Sequence, residues 1–270
     1  MIEVPARPAV ETFSLVKQFG DFVAVDHIDL QVNRGSFFGF LGPNGAGKST
    51  TIKMLTGLLA PTSGKLHVLG LDIAEQPIEV KRRIGVVPED LNLFERLTGA
   101  EMLSFTGRMY GLRRDEIAQR SKELLELMEL QDDPKKLIIE YSHGMKKKLS
   151  LACALIHRPE ILFLDEPFEG VDAIASRTLK DLLSRLTTRG LTVFLTSHVL
   201  EIVERLCTDI AIIAHGKLLA SGSLNELRKG ISVEGDGEQP GGPVSLEEYF
   251  IHVVGGTRST GEEDVLLWLT

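Results

Sequence analysis

Gly42-Pro43-Asn44-Gly45-Ala46-Gly47-Lys48-Ser49-Thr50 is the stretch that decides the fold of this chain. It fits the pattern G-x-x-x-x-G-K-[ST], in which glycines let successive backbone N–H groups turn inward around an anion. Residues 36–41 before it are an apolar run of strand length, and residues 51–55 after it read as the first turns of a helix. This strand–loop–helix setting predicts a nucleotide site, in which Lys48 reaches the terminal phosphates and Ser49 ligates Mg²⁺.

Two carboxylates follow a second apolar run, Ile161–Leu164, which reads as a buried strand. Ligands of doubly wound sheets bind at the carboxyl ends of the strands, so Asp165 and Glu166 are placed where a nucleotide would lie. We expect Asp165 to hold Mg²⁺ through its water shell and Glu166 to orient or deprotonate the attacking water. Two surface carboxylates after a strand are the alternative, and the phosphate-loop pattern counts against it.

A histidine and a short polar stretch carry weaker signals. His198 follows a strand-like run, residues 192–197, and could donate a hydrogen bond to the γ-phosphate, although a lone histidine is more often structural. Ser142 lies before a helix predicted over residues 146–156 and reads as its N-cap. The three lysines of that helix, residues 146–148, are predicted to form a solvated face.

Strand-like and helical segments alternate along the rest of the chain. Further strands are predicted at residues 11–34, with a break at 19–21, and at 65–70 and 210–214; helices are predicted near 173–188 and 199–206. The pattern predicts an α/β fold with a mainly parallel sheet, preceded by a β region and interrupted by a helical stretch over about residues 77–155.

The order of these motifs resembles the ATP-binding-cassette (ABC) family from about residue 10 to residue 230. In that resemblance Gly42–Thr50 is the Walker A motif and Ile161–Glu166 the Walker B motif. Asp172 closes the D-loop, and His198 is the switch histidine. The resemblance implies a P-loop NTPase core with a mainly parallel sheet, an N-terminal antiparallel β region and a helical subdomain. It places the ATPase domain at residues 1–230, the helical subdomain at about 77–155, and a linker and C-terminal tail at 231–270.

The family motifs depart from the usual pattern at three places. Tyr141–Met145 stands where the family signature LSGGQ belongs and keeps only Ser142 and Gly144. Glu89 occupies the position of the Q-loop glutamine, where it would approach Mg²⁺ or its water shell and take part in catalysis. Phe19 replaces the tyrosine that stacks on adenine and keeps the ring.

Several details look most like the ATPase subunits of ABC-2-type exporters: GLLAPTSG (57–64), VVPED (86–90), YSHGMKKKLSLA (141–152) and LEEYF (246–250). That resemblance implies ATP and Mg²⁺ as cofactors, a polytopic membrane permease as a partner and a second ATPase subunit, with a homodimer expected in the complex. Ser142 and Gly144 of one copy would close on the ATP of the other. The alternatives are an ABC ATPase of the iron–sulfur assembly type and a P-loop kinase; a kinase gives no reason for Tyr141–Met145 or His198.

Composition limits the classes of partner and compartment. Lys and Arg number 30 against 38 Asp and Glu, a net charge of −8, so no nucleic-acid partner is expected. Cys153 and Cys207 lack metal-site spacing and read as buried free thiols. No signal peptide is evident, and no apolar run approaches the ~20 residues of a spanning helix. We therefore expect a cytoplasmic protein that is peripheral on the inner face of the cell membrane through its permease partner.

Overall fold

The computed structural model describes residues 7–229 and 245–255. The strands in these residues are β1 (Val10–Phe19), β2 (Phe22–Ile28), β3 (Gln31–Val32), β4 (Phe37–Leu41), β5 (Ser63–Val68), β6 (Leu71–Asp72), β7 (Ile84–Val87), β8 (Ile161–Asp165), β9 (Thr192–Ser197), β10 (Asp209–Ala214) and β11 (Lys217–Ser223). The helices are α1 (Lys48–Leu55), α2 (Pro77–Arg83), α3 (Gly99–Met109), α4 (Arg114–Leu127), α5 (His143–Leu155), α6 (Ala173–Thr188), α7 (Leu200–Leu206), α8 (Leu224–Lys229) and α9 (Leu246–Gly255).

Six strands form the central sheet in the order β11-β10-β4-β9-β8-β7. Neighbours from β10 through β7 run parallel, and β11 joins the edge as an antiparallel hairpin partner of β10. Every residue of β4, β8 and β9 is buried, as expected for parallel strands covered on both faces. The predicted mainly parallel sheet is confirmed, and the carboxyl ends of β4, β8 and β9 meet at one edge.

A second, antiparallel sheet has the order β2-β1-β5-β6, with β3 also paired to β1. β1 and β2 form a hairpin whose turn lies at residues 20–21, where the sequence predicted a break. The predicted N-terminal antiparallel region is confirmed, and it is extended by β5 and β6, which follow the phosphate loop in the chain.

The prediction of a helical stretch over about residues 77–155 was wrong at one place. Ile84–Val87 is strand β7, which pairs parallel to β8 at the edge of the central sheet. Four apolar residues directly after a basic helix end are too few to show a strand period, so the sheet partner decides their conformation. Beyond β7 the stretch is helical, and α3 begins at a capping box in which Thr98 and Glu101 bond each other's backbone N–H.

Two apolar clusters lie on either side of the central sheet. Phenylalanine rings of β4, β8 and β9 fill the side that faces the antiparallel sheet, with Phe194 within 5.6 Å, centroid to centroid, of Phe38, Phe40 and Phe163. Helices α5, α6 and α7 cover the other side. Their cluster includes both cysteines, which are free and buried.

The tail contributes one helix to this packing. In α9, Leu246 and Tyr249 are buried in the apolar cluster on the side of the central sheet that α5, α6 and α7 cover. Of the linker and tail predicted at residues 231–270, residues 231–244 and 256–270 lie outside the described residues. None of the helices in the described part of the chain is long and apolar enough to cross a bilayer.

Candidate nucleotide site

The loop between β4 and α1 is built on glycines that admit no side chain. A Cβ on Gly42 would lie 2.3 Å from the carbonyl oxygen of Ile213. Gly47 has a φ of +107°, and its Cβ would lie 2.5 Å from the carbonyl oxygen of Ala24. The loop therefore fits closely between two neighbouring segments, and its backbone N–H groups end at the N-terminus of α1, which favours bound anions.

Lys48, the first residue of α1, is buried, and its ammonium points back over this loop. Its Nζ donates hydrogen bonds to the carbonyl oxygens of Gly42 (2.8 Å) and Pro43 (3.3 Å). The same nitrogen lies 3.5 Å from Oε1 of Glu166. The structure thus brings the lysine of the phosphate loop into contact with the carboxylate that follows β8.

Asp165 ends β8 beside the phosphate loop. Its Oδ1 accepts hydrogen bonds from Ser49 Oγ (3.4 Å) and from Thr196 Oγ1 (2.6 Å). Thr196 also accepts a hydrogen bond from the backbone N–H of Glu166 (3.0 Å). Thr196, on the neighbouring parallel strand β9, therefore binds the carboxylate of Asp165 and the backbone of Glu166, and it is a site residue that the sequence analysis missed.

We expect Thr196→Val to lower the free energy of unfolding by about 1–3 kcal/mol, because valine leaves the buried N–H of Glu166 without its acceptor. Urea denaturation measures this change. Thr196→Ser keeps the hydroxyl and is the matched control. A valine variant as stable as the serine variant would show that the hydroxyl does not hold the Asp165 carboxylate and the Glu166 backbone in place.

Glu166 is buried and adopts a left-handed backbone conformation (φ +45°), which is strained for a residue with a side chain. Nδ1 of His198 lies 3.2 Å from Glu166 Oε1. Even so, this oxygen accepts no hydrogen bond of good geometry from the described residues. A buried carboxylate oxygen with unused acceptor capacity at the cleft is chemically suited to bind and polarise a water molecule.

The oxygen atoms of Ser49 and Asp165 are suitable ligands for Mg²⁺. Ser49 and Asp165 present oxygen atoms side by side, and Mg²⁺ takes oxygen ligands, usually one or two from protein with the rest from phosphate and water. Residues 7–229 and 245–255 contain no group of three or more His, Cys, Asp or Glu side chains that could hold a metal on its own. A metal ion here would depend on the nucleotide as well as on the protein.

A cleft of about 390 Å³ joins these groups. It is lined by Phe22, Ala24, Asn44, Gly45, Gly47, Lys48, Ser49, Thr50, Glu89, Glu166, Glu169 and His198. A larger cavity of about 520 Å³ lies between α3 and α4 and contains none of the predicted catalytic or metal-binding residues. The smaller, more polar cleft is therefore the candidate site.

Glu89 follows β7 and lines this cleft. Burial raises the pKa of its carboxyl above the usual value, and the negative charges of Asp165 and Glu169 raise it further. The structure thus brings the residue at the predicted Q-loop position to the same acidic group as the predicted metal ligand Asp165.

Phe19, the ring predicted to stack on adenine, has a second aromatic ring beside it. Phe19 and Phe22 pair directly across the β1–β2 hairpin, so both side chains project from the same face. Phe19 is 49% exposed, with Lys17 Nζ 5.0 Å from its ring centroid. Phe22 is 64% exposed and lines the cleft, whereas Phe19 does not. Phe22 is thus a second candidate that the motif comparison did not identify.

We expect Phe19→Ala to weaken ATP binding by about 1–3 kcal/mol, the usual cost of losing one base–aromatic stack. Calorimetric titration of Phe19→Ala and Phe22→Ala compares the two rings. Phe13→Ala is the control, since Phe13 is an equally exposed ring on β1 that contacts His67 instead. A larger loss in Phe22→Ala than in Phe19→Ala would assign the base to Phe22.

Ser142, Gly144 and Asp172 form a separate group that does not line the cleft. Ser142 is exposed and caps α5, its Oγ accepting from the N–H of Met145 (3.2 Å). A Cβ on Gly144 would lie 3.2 Å from Oδ2 of Asp172. Asp172 caps α6, and its hydrogen bond from the N–H of Ala175 is the main cause of its lowered pKa. The group therefore lies where the N-termini of α5 and α6 meet.

The prediction that the three lysines at the start of α5 form a solvated face was wrong for two of them. Lys147 and Lys148 are buried, because α5 packs against β7, α3 and α6. Lys148 pairs with Glu129 (Nζ–Oε2 2.7 Å), and the less buried Lys146 pairs with Glu95 (Nζ–Oε1 2.8 Å). A helix that is covered on several sides leaves no purely solvated face.

Comparison with known proteins relates this geometry to a family. A family model described as "ABC transporter" matches residues 25–169, more than half of the chain. The chain is 38% identical over 250 residues to the probable multidrug ABC transporter ATP-binding protein YbhF of Escherichia coli (strain K12). That match covers 93% of this chain and 42% of YbhF, so the chain spans less than half the length of this relative.

Two further matches cover more of the related protein. The chain is 40% identical over 227 residues to the daunorubicin/doxorubicin resistance ATP-binding protein DrrA of Streptomyces peucetius, covering 84% of this chain and 68% of DrrA. A solved structure described as an ATP binding subunit of an ABC transporter superposes with a TM-score of 0.82 at 30% identity. It covers 91% of this chain and 99% of that one.

Proposed function

This chain belongs to the ABC transporter family, and from that premise we propose that it is the ATP-hydrolysing subunit of an exporter whose membrane-spanning part is a separate protein. The observation that carries the proposal is the meeting of Lys48 and Glu166 at one cleft, beside the hydrogen-bonded pair of Ser49 and Asp165, with Oε1 of Glu166 accepting no hydrogen bond of good geometry. This arrangement supports phosphoryl transfer to water.

Each side chain at the cleft has a role in this proposal. Lys48 and the backbone N–H groups of the loop bind the phosphates of ATP. Ser49 and Asp165 would hold Mg²⁺, which neutralises charge on the phosphates when bound. Glu166 orients the attacking water and takes its proton, and His198 donates a hydrogen bond to the γ-phosphate. Glu89 would lie near the water shell of a bound Mg²⁺ and would couple the site to the helical region.

The second group of site residues supports a two-copy arrangement. Ser142 and Gly144 lie outside the cleft of their own chain, so in the proposal they complete the site of a second copy by donating a hydroxyl and an amide to its γ-phosphate. Asp172 lies beside Gly144 at the start of α5, and in the proposal it lies between the two copies. The active form is then a dimer of this subunit bound to its permease.

The relatives support export rather than the other ABC functions. YbhF is named as a probable multidrug transporter protein and DrrA as a drug resistance protein, and neither relative supports the iron–sulfur alternative. The subunit would act at the cytoplasmic face of the membrane, held there by a polytopic permease.

Affinity purification of the tagged chain from detergent-solubilised membranes of its own cells tests the proposal. We expect a polytopic membrane protein to co-elute in stoichiometric amount, and ATP hydrolysis by the complex to be lost when Lys48 is replaced by methionine. Co-elution with iron–sulfur scaffold proteins instead, with hydrolysis that needs no membrane partner, would contradict the exporter assignment.

A further inference from the structure

Lys147 is a buried lysine with no role in the mechanism above. It lies on α5, two turns or less from Ser142 and Gly144, and only 2% of it is exposed. Lysine is almost never fully buried unless its charge is compensated, because removing an ammonium from water is costly. The contacts of Lys147 must therefore compensate for the loss of water around its ammonium.

The ammonium of Lys147 is held by two backbone carbonyl groups. Nζ donates to the carbonyl oxygen of Glu166 (3.1 Å) and to that of Glu89 (3.4 Å). These residues follow β8 and β7, and their side chains line the nucleotide cleft. One side chain thus joins the backbones of the two segments that carry the catalytic carboxylate and the Q-loop position.

The charge of Lys147 is compensated by several acidic residues together rather than by one ion pair. Among the described residues no carboxylate oxygen forms an ion pair with its Nζ, in contrast to the pairs made by Lys146 and Lys148. Burial lowers the pKa of Lys147, and the negative charges of Glu169, Glu89, Asp165 and Glu166 partly oppose that shift. Lys147 is therefore a positive charge placed behind a group of acids rather than the partner of one.

A carboxylate at position 89 adds to the negative charge in front of Lys147. Glu89 is exposed at the mouth of a cleft that receives the γ-phosphate in the proposed function, and like charges at close range repel. Burial, followed by the nearby acids, already raises the pKa of Glu89. A cation behind this group reduces the repulsion without occupying the space that the phosphate needs.

We propose that Lys147 is a positioning residue for ATP, whose ammonium fixes the backbones of Glu89 and Glu166 and offsets the charge that Glu89 brings to the γ-phosphate. The proposal rests on the assignment of the cleft to ATP. It requires the effect of Lys147 to depend on the γ-phosphate and on the carboxylate of Glu89.

A double-mutant cycle measured by calorimetric titration tests both requirements. Lys147→Gln keeps an N–H donor for the carbonyl groups and removes the charge. We expect it to weaken Mg-ATP binding about tenfold and Mg-ADP binding by no more than about twofold, since ADP lacks the phosphate that faces the acids. In a Glu89→Gln background, where a negative charge has also gone, the same substitution should weaken Mg-ATP binding by no more than about twofold.

Lys146→Gln is the matched control, because it removes a lysine charge one residue away whose partner is Glu95. It should leave the affinity for Mg-ATP within about twofold. The thermal unfolding midpoint of the nucleotide-free variants reports on folding. If Lys147→Gln does not fold, Lys147→Met, which has nearly the same length, takes its place in the cycle.

Equal losses for Mg-ATP and Mg-ADP, or the same loss with and without the carboxylate of Glu89, would overturn the proposal, because a purely structural lysine would act in that way. Failure of the unsubstituted chain to bind Mg-ATP would instead overturn the assignment of the cleft to ATP. The two failures are therefore distinguishable.

Discussion

Replacing Glu166 by glutamine is expected to lower ATP hydrolysis by about 10²–10⁴-fold, the usual cost of losing a general base. Glutamine keeps the size and hydrogen-bonding reach of the side chain and removes only its capacity to take a proton. ATP should still bind, because Lys48, Ser49 and Asp165 are unchanged. Steady-state phosphate release and equilibrium binding of ATP measure the two quantities separately.

A second consequence concerns the assembly. If each copy holds ATP against Ser142 and Gly144 of the other, the uncleaved nucleotide keeps the two copies together. Glu166→Gln should therefore elute as a dimer in Mg-ATP and as a monomer in nucleotide-free buffer. The assembled complex is the setting in which hydrolysis is decisive, because in the proposed function the permease brings the two copies together.

Glu160→Gln is the matched control for this prediction. Glu160 lies at the opposite end of β8, where it pairs with Arg34 (2.9 Å), and its loss should leave hydrolysis within about twofold. Near-normal turnover of Glu166→Gln in the assembled complex would contradict the role of Glu166 as the base.

Lys48→Met should weaken binding of Mg-ATP by about 100-fold or more. A hydrogen bond to a charged group contributes about 1.5–3 kcal/mol, and in the proposed function the ammonium binds more than one phosphate oxygen. The substitution also leaves the buried Glu166 carboxylate without its nearest lysine. Titration with a fluorescent ATP analogue, with unlabelled ATP as competitor, measures the affinity.

Lys53→Met removes a lysine from the last turn of the same helix, where the side chain is exposed. Its affinity for Mg-ATP should stay within about twofold of the unsubstituted chain. Equal affinities for Lys48→Met and Lys53→Met would mean that Lys48 does not bind the phosphates.

The phosphate loop and the strand that precedes it could be predicted from sequence because their signals are local. Gly42 and Gly47 are required by close contacts of the backbone, and Lys48 and Ser49 follow them at fixed positions in the chain. The apolar run before Asp165 likewise predicts a buried strand with a carboxylate at its end. Local conformation and hydrophobic pattern are enough for such features, and they also predicted the class of the fold.

The residues that complete the site depend on which segments become neighbours. Thr196 bonds Asp165 only because β8 and β9 pair in parallel with these residues in register. Phe22 lines the cleft because the hairpin places it opposite Phe19. Nothing near Thr196 in the chain carries that information, and the local break at residues 19–21 indicates a turn without showing which ring lines the cleft.

The sequence by itself therefore determined that this chain has an α/β fold with a phosphate loop, and it identified the acids at the end of one strand. Only the tertiary structure decided that Ile84–Val87 is a strand and that Lys147 is buried. The physical reason is the same for both: a four-residue apolar run and a lysine on a helix have no fixed environment until the sheet and its covering helices pack. Hydrogen-bond partners and solvent exposure are then set by residues far away in the chain.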